Sequence, residues 1–152
     1  MMQLWPVARR QILIAGLLAG LAMGCSGCGG WHVPPGAKQL KNPVPSNSAT
    51  LDAARALYGS DCAKCHGING DGKRPPGSAY SYNTQPTNFT RKRLMDAMSD
   101  GEIYWKITNG RKPMPSFKNR LSDEQRWELV NFLRTFAHPA NSVSPSASQT
   151  PR

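Results

Sequence analysis

The stretch Cys62-Ala63-Lys64-Cys65-His66 decides how the rest of the chain is read. Two cysteines three apart, with a histidine directly after the second, form the attachment signature of a c-type haem. The spacing has a chemical reason. On one helical turn residues i and i+3 project to the same side, so both thiols reach the two vinyl groups of one porphyrin. His66 then stands under the iron and supplies one axial nitrogen. Other uses of paired cysteines fit less well. A redox Cys-X-X-Cys belongs beside a βαβ pattern, and this chain has none. A zinc site would need Cys25-Ser26-Gly27-Cys28 as its second pair, but 33 residues separate the two pairs, against roughly 15–20 in the common ribbon.

Downstream, Met114 is the expected second axial ligand. It lies in Gly110-Arg111-Lys112-Pro113-Met114-Pro115, where prolines on both sides restrict the backbone and present the thioether on a stiff loop. A lone methionine is usually core filler, so this setting and the upstream motif carry the assignment. Met95, Met98, His138 and His32 are weaker rivals: the two methionines sit around a short helix, His138 follows the last helix at the start of the tail, and His32 lies in the tether. A thioether opposite an imidazole raises the reduction potential relative to two histidines. It also closes both coordination positions, which argues against peroxidase or oxygenase chemistry.

The elements around these residues are short helices. Thr50 is expected to cap a helix whose apolar face carries Leu51, Ala54 and Tyr58. Ser99-Asp100-Gly101-Glu102 reads as a capping box opening a helix that stops at Asn109-Gly110. Ser122-Asp123-Glu124-Gln125 opens the longest helix, with Leu129, Phe132, Leu133 and Phe136 on one face. Residues 67–90, rich in glycine and proline, read as a long loop, and a compact domain needs a reason for one. Wrapping one face of a haem supplies it. No strand is expected.

The N-terminus points to export. Arg9 and Arg10 precede an apolar run from Ile12 to Met23, too short for a membrane span but suited to a secretory signal over residues 1–24. Ala22-Met23-Gly24-Cys25 is similar to a lipobox, which makes Cys25 the expected acylation site; ordinary cleavage near Gly24 is the alternative. Cys28 is then left over, either a second lipid-proximal thiol or a residue without a role. Residues 25–49, with Pro34, Pro35, Pro43 and Pro45, are expected to form the anchor site and an extended tether, reaching about 70 Å at polyproline geometry. Residues 138–152 read as a disordered tail, leaving 50–137 as the folded domain. The chain of 152 residues has a net charge of +10, or +8 without Arg9 and Arg10. That excess favours encounter with an acidic partner surface. Nucleic-acid binding is not expected, because no basic helix or aromatic-interleaved basic stripe is present.

Taken together, these residues resemble class I bacterial monohaem cytochromes c. The resemblance spans about residues 50–137. It rests on Ala54 to Tyr58 ahead of Cys62 to Gly67, on Gly70-Asp71-Gly72, on Asp100 to Ile107, on Gly110 to Pro115 and on Arg126 to Arg134. It implies a small all-α class I cytochrome c fold packed around one covalently attached haem c, with the first and last helices crossing and one haem edge exposed. It further implies that a proline carbonyl orients the histidine, with Pro75 and Pro76 both available. Ala54 stands where such proteins commonly have glycine, implying a slightly wider crossing packed by Tyr58 and Phe132. Trp105, Trp127, Arg111 and Arg134 are candidate haem neighbours or propionate partners, set against plain packing and solvation.

The expected function is electron transfer without catalysis, by a lipid-anchored periplasmic cytochrome working between respiratory redox partners. Cys62 and Cys65 would hold the porphyrin and His66 and Met114 the iron, with a basic docking rim at Lys64, Lys73, Arg74, Lys112 and Lys118 facing acidic partner surfaces. The alternative is a haem subunit bound permanently in a larger quinol-oxidising or dehydrogenase complex.

Overall fold

The computed structural model describes residues 31–76 and 85–139. The expected signal peptide, Cys25, Cys28 and the tail beyond Pro139 lie outside the described residues. Among the described residues six α-helices follow one another: α1 (Pro35–Gln39), α2 (Ser48–Leu57), α3 (Ala63–His66), α4 (Lys92–Asp96), α5 (Asp100–Asn109) and α6 (Asp123–Ala137). Among the described residues there is no strand, and Arg111 and Met114 form an isolated bridge.

Helix α6 is the centre of the domain, with α2, α4 and α5 packed on it. The core is built from α2 (Leu51, Ala54), the adjoining Tyr58, α5 (Ile103, Ile107) and α6 (Leu129, Val130, Phe132, Leu133), with Met95 of α4 wholly enclosed. Ala54 is completely buried at the α2–α6 contact, and the Tyr58 and Phe132 rings meet with centroids 5.4 Å apart.

The helix starts follow local chemistry, with two differences from expectation. Ser122 and Gln125 form the reciprocal capping box that opens α6. Ser99 caps α5 by accepting from the Glu102 amide, but the Glu102 carboxylate turns instead to Lys106, at 2.7 Å. A lysine four residues on competes for that carboxylate, so only half of the expected box forms. The cap of α2 is Asn47, not Thr50. Asn47 Oδ1 accepts from the Thr50 amide at 3.0 Å, and Thr50 Oγ1 accepts from the Asn47 amide at 3.2 Å. Thr50 thus plays the reciprocal partner in a box that starts three residues earlier.

The N-terminal segment departs most from expectation. From Trp31 onward the supposed tether is packed onto the domain. Val33 is buried, and α1 lies along α5. Asn42 donates to the Trp127 carbonyl and to Asn131 Oδ1, while Asn131 donates back to the Val44 carbonyl. These bonds satisfy backbone groups that an extended tether would leave to water. At the other end His138, assigned to the tail, bonds to Asp96 at 2.8 Å.

Candidate haem site

The attachment motif sits where a helix changes its winding. Helix α2 runs without a break into one π-helical turn, Tyr58–Cys62, and then into the single turn of α3 that carries Cys65 and His66. Such turns often occur at functional positions because they re-aim side chains without ending the helix. Cys62, Cys65, His66 and Met114 all line one cavity of about 310 Å³. Met114 comes from a segment 48 positions beyond His66 in the chain.

His66 is held from two sides. Its Nδ1 lies 3.3 Å from the Thr87 carbonyl oxygen, so Nε2 is the nitrogen offered to the cavity. The ring stacks on Phe89, centroids 4.7 Å apart. Phe89 in turn stacks on Phe136, which packs against Tyr58 and Phe132. The Tyr58 hydroxyl donates to the Gly67 carbonyl at 2.6 Å, fixing the chain just past the histidine. Burial pushes the His66 pKa down, only partly opposed by the Thr87 hydrogen bond, so the imidazole stays in the neutral form that binds metals. Burial, with the Asp61 carboxylate beside it, pushes the Cys62 thiol up to about 12. The orienting carbonyl therefore belongs to Thr87, where Pro75 or Pro76 was expected. A backbone acceptor carries no side-chain signal, so only the packing of residues 86–89 against the motif identifies it.

The Met114 loop is stitched to the end of α5. Arg111 and Met114 exchange two backbone hydrogen bonds, at 2.9 and 2.8 Å. Phe117 and Lys118 donate their amides to the Ile107 and Thr108 carbonyls, which the helix end leaves without partners. Gly110 is at φ +63°, and a β-carbon there would collide with the Pro115 carbonyl. Arg126 holds the far side. Almost fully buried, it donates through Nη1 to the carbonyls of Phe117, Lys118 and Leu121 at 3.3, 2.9 and 2.8 Å. Its other amino group reaches the Tyr104 hydroxyl and Asp123. Arg120 pairs with Asp61, linking this segment to the turn that carries Cys62.

The donors and the wall fit a haem. The volume lies in the roughly 300–1,000 Å³ range of cofactor pockets. Leu94, Met95, Ile103, Ile107, Leu129 and Leu133 supply an apolar interior, while Lys64, Arg74, Arg111 and Lys112 stand among the lining residues as cations for carboxylates. Of the four expected neighbours, Arg111 lines the cavity. Trp127 stacks on Tyr104, and Arg134 clamps Asp100 and the Met95 and Met98 carbonyls, so both are packing residues. Trp105 meets Trp31, itself an unexpected lining residue.

The family described as cytochrome c oxidase, cbb3-type, subunit III matches residues 49–133. The chain belongs to this cytochrome c family. The cytochrome is 26% identical over 86 residues to cytochrome c6 of Gracilaria tenuistipitata var. liui, covering 57% of this chain and 72% of the relative. It is 26% identical over 89 residues to cytochrome c6 of Porphyra purpurea, covering 57% and 71%. Among solved structures it matches a chain of the reducing HAO-like protein complex of Kuenenia stuttgartiensis, with a TM-score of 0.53 and 30% identity. That match covers 62% of this chain but only 46% of the other. The cytochrome is thus an all-α electron carrier whose cofactor is covalently bound haem c.

Proposed function

We propose that this cytochrome is an exported, lipid-anchored, single-electron carrier of a respiratory chain, with its haem c bound through Cys62 and Cys65 and ligated by His66 and Met114. When bound, haem c supplies a one-electron iron couple. The protein's part is to hold the ligands, exclude water and present a charged surface. The observation that carries the reading is that two segments 48 positions apart bring an imidazole and a thioether to one largely apolar cavity. Export, anchoring at Cys25 and respiratory partners rest on the signal-like N-terminus. Acidic partners are the complement of the cations at Lys64, Lys73, Arg74, Lys112 and Lys118.

The Met114→Ala variant tests the ligand set. Loss of the sulfur-to-iron charge-transfer band from the oxidised spectrum, with a lower reduction potential, is the expected result; retention of the band would falsify the assignment. Globomycin treatment of cells tests the anchor, with accumulation of the unprocessed precursor expected. Processing that is indifferent to the inhibitor returns the chain to ordinary signal cleavage. A second reading, a haem subunit held in a larger complex, draws on the Kuenenia stuttgartiensis chain, which is part of a complex. Co-purification at fixed stoichiometry with another redox protein would favour it.

A further inference from the structure

The segment 31–46 lies ahead of residue 49, where the match to the family begins. It is nevertheless built into the domain, and its first residue lines the haem cavity. The Trp31 ring meets Trp105 edge-on, with centroids 6.2 Å apart at 78°. The Arg111 guanidinium lies 5.3 Å from the centroid of the Trp31 ring and the Lys106 ammonium 5.9 Å from it, both within cation–π reach. Three attachments hold the segment in place. Val33 is buried. Helix α1 sits on α5 at Gly101, where any β-carbon would run into the Ala37 carbonyl oxygen. Asn42 and Asn131 interlock with the backbone of Val44 and Trp127. The close approach at Gly101 has a clear use: it lets the strap lie flat enough for Trp31 to reach the cavity.

We propose that residues 31–46 are a strap that makes Trp31 a wall of the haem crevice, and that this wall raises the reduction potential of the cofactor. The argument is electrostatic. Oxidised haem carries one more positive charge than reduced haem, and water at an open edge stabilises that charge. An indole in the wall excludes the water, and the apolar shell around a metal site controls its potential in this way. The Arg111 guanidinium over the Trp31 ring acts in the same sense, since nearby positive charge disfavours oxidation, whereas the charge of Lys106 is already paired with Glu102. Trp31 is therefore a positioning residue: it shuts out solvent and holds Arg111 at the cavity wall.

The test uses the holo-protein in three variants. Trp31→Ala is expected to lower the midpoint potential, and Trp31→Phe to restore most of the loss. Gly101→Ala is expected to lower it as well, although Gly101 does not line the cavity. Alanine is the better helix former, so α5 persists while α1 is displaced. In wild-type protein the Trp31 indole N–H resonance should move between the reduced and oxidised states, because an indole lining the haem cavity would feel the paramagnetism of the oxidised iron. An unchanged potential in Trp31→Ala, or an indole signal indifferent to oxidation state, would overturn the proposal. A lowered potential in Trp31→Ala with none in Gly101→Ala would overturn the strap's part in it. The Trp31 variants decide the matter alone should Gly101→Ala not fold.

Discussion

A single guanidinium ties down the segment that follows the Met114 loop. Arg126 satisfies three backbone carbonyls between Phe117 and Leu121, and these residues follow directly on the Met114 loop. Its ion pair with Asp123 matters less, because that carboxylate is 79% exposed and screened by water. Arg126→Ala should therefore destabilise the folded protein by about 2–4 kcal/mol, the cost of several buried carbonyls losing their donor. Chemical denaturation measures it, and Arg126→Lys should recover only part, since an ammonium lacks the planar fork. A different residue gives a dependence on pH. Hydrogen bonds from Lys92 and His138 hold the Asp96 carboxyl below its ordinary value of 3.8. A carboxylate depressed in the folded state contributes stability above its unfolded pKa and loses it as pH falls through the folded value. Amide protection factors in α4, corrected for intrinsic exchange, should thus fall on acidification below about pH 4, whereas Asp96→Asn should be less protected at neutral pH and lose the acid step.

Among the elements, those written in local chemistry were legible in advance. Ser99, Ser122 and Gly110 mark the ends of α5 and α6 because capping and a left-handed stop act within one turn. The start of α2 was misplaced by a few residues for the same reason, since Asn47 and Thr50 cap reciprocally and either looks like the cap. Asn47→Ala should cost about 1 kcal/mol, read as a lower thermal midpoint. Gly110 is less forgiving. Gly110→Ala must place a side chain in a left-handed conformation, costing about 1–2 kcal/mol, and must also push Pro115 away. It should weaken the sulfur–iron band as well as stability, because the displaced residue adjoins Met114. What was not legible depends on long-range partners. Thr87 acts through its backbone, Phe89 through a stack on His66, and the strap through Asn42 and Asn131, 89 positions apart. None of these leaves a periodic trace, and a proline-rich composition pointed the other way.

For the molecule as a whole, the haem motif, the order of segments and the helix ends already implied an all-α domain around one cofactor, and the family match bears that out. Electron exchange with an acidic redox protein should slow as salt rises, since the cation-rich rim favours encounter mainly within a Debye length of about 10 Å at 0.1 M. Stopped-flow rates across ionic strength check this, and a flat profile would remove the rim from the docking surface. The packed strap has one more consequence, for the space in which a partner is found. An extended tether over residues 25–49 would have let the haem roam about 70 Å from a lipid at Cys25. With the packed segment reaching back to Trp31, only six peptide steps would separate it from such a lipid, a span of at most about 20 Å. The accessible volume shrinks with the cube of that length, about fortyfold, and the local concentration seen by a neighbour in the same membrane rises accordingly. Inserting ten Gly/Ser residues after Gly30 should slow exchange with a membrane-held partner and leave a small soluble oxidant unaffected. On a chain acylated at Cys25, the strap that shapes the crevice would thus also hold the carrier in a thin layer, where collisions with membrane-held partners are frequent.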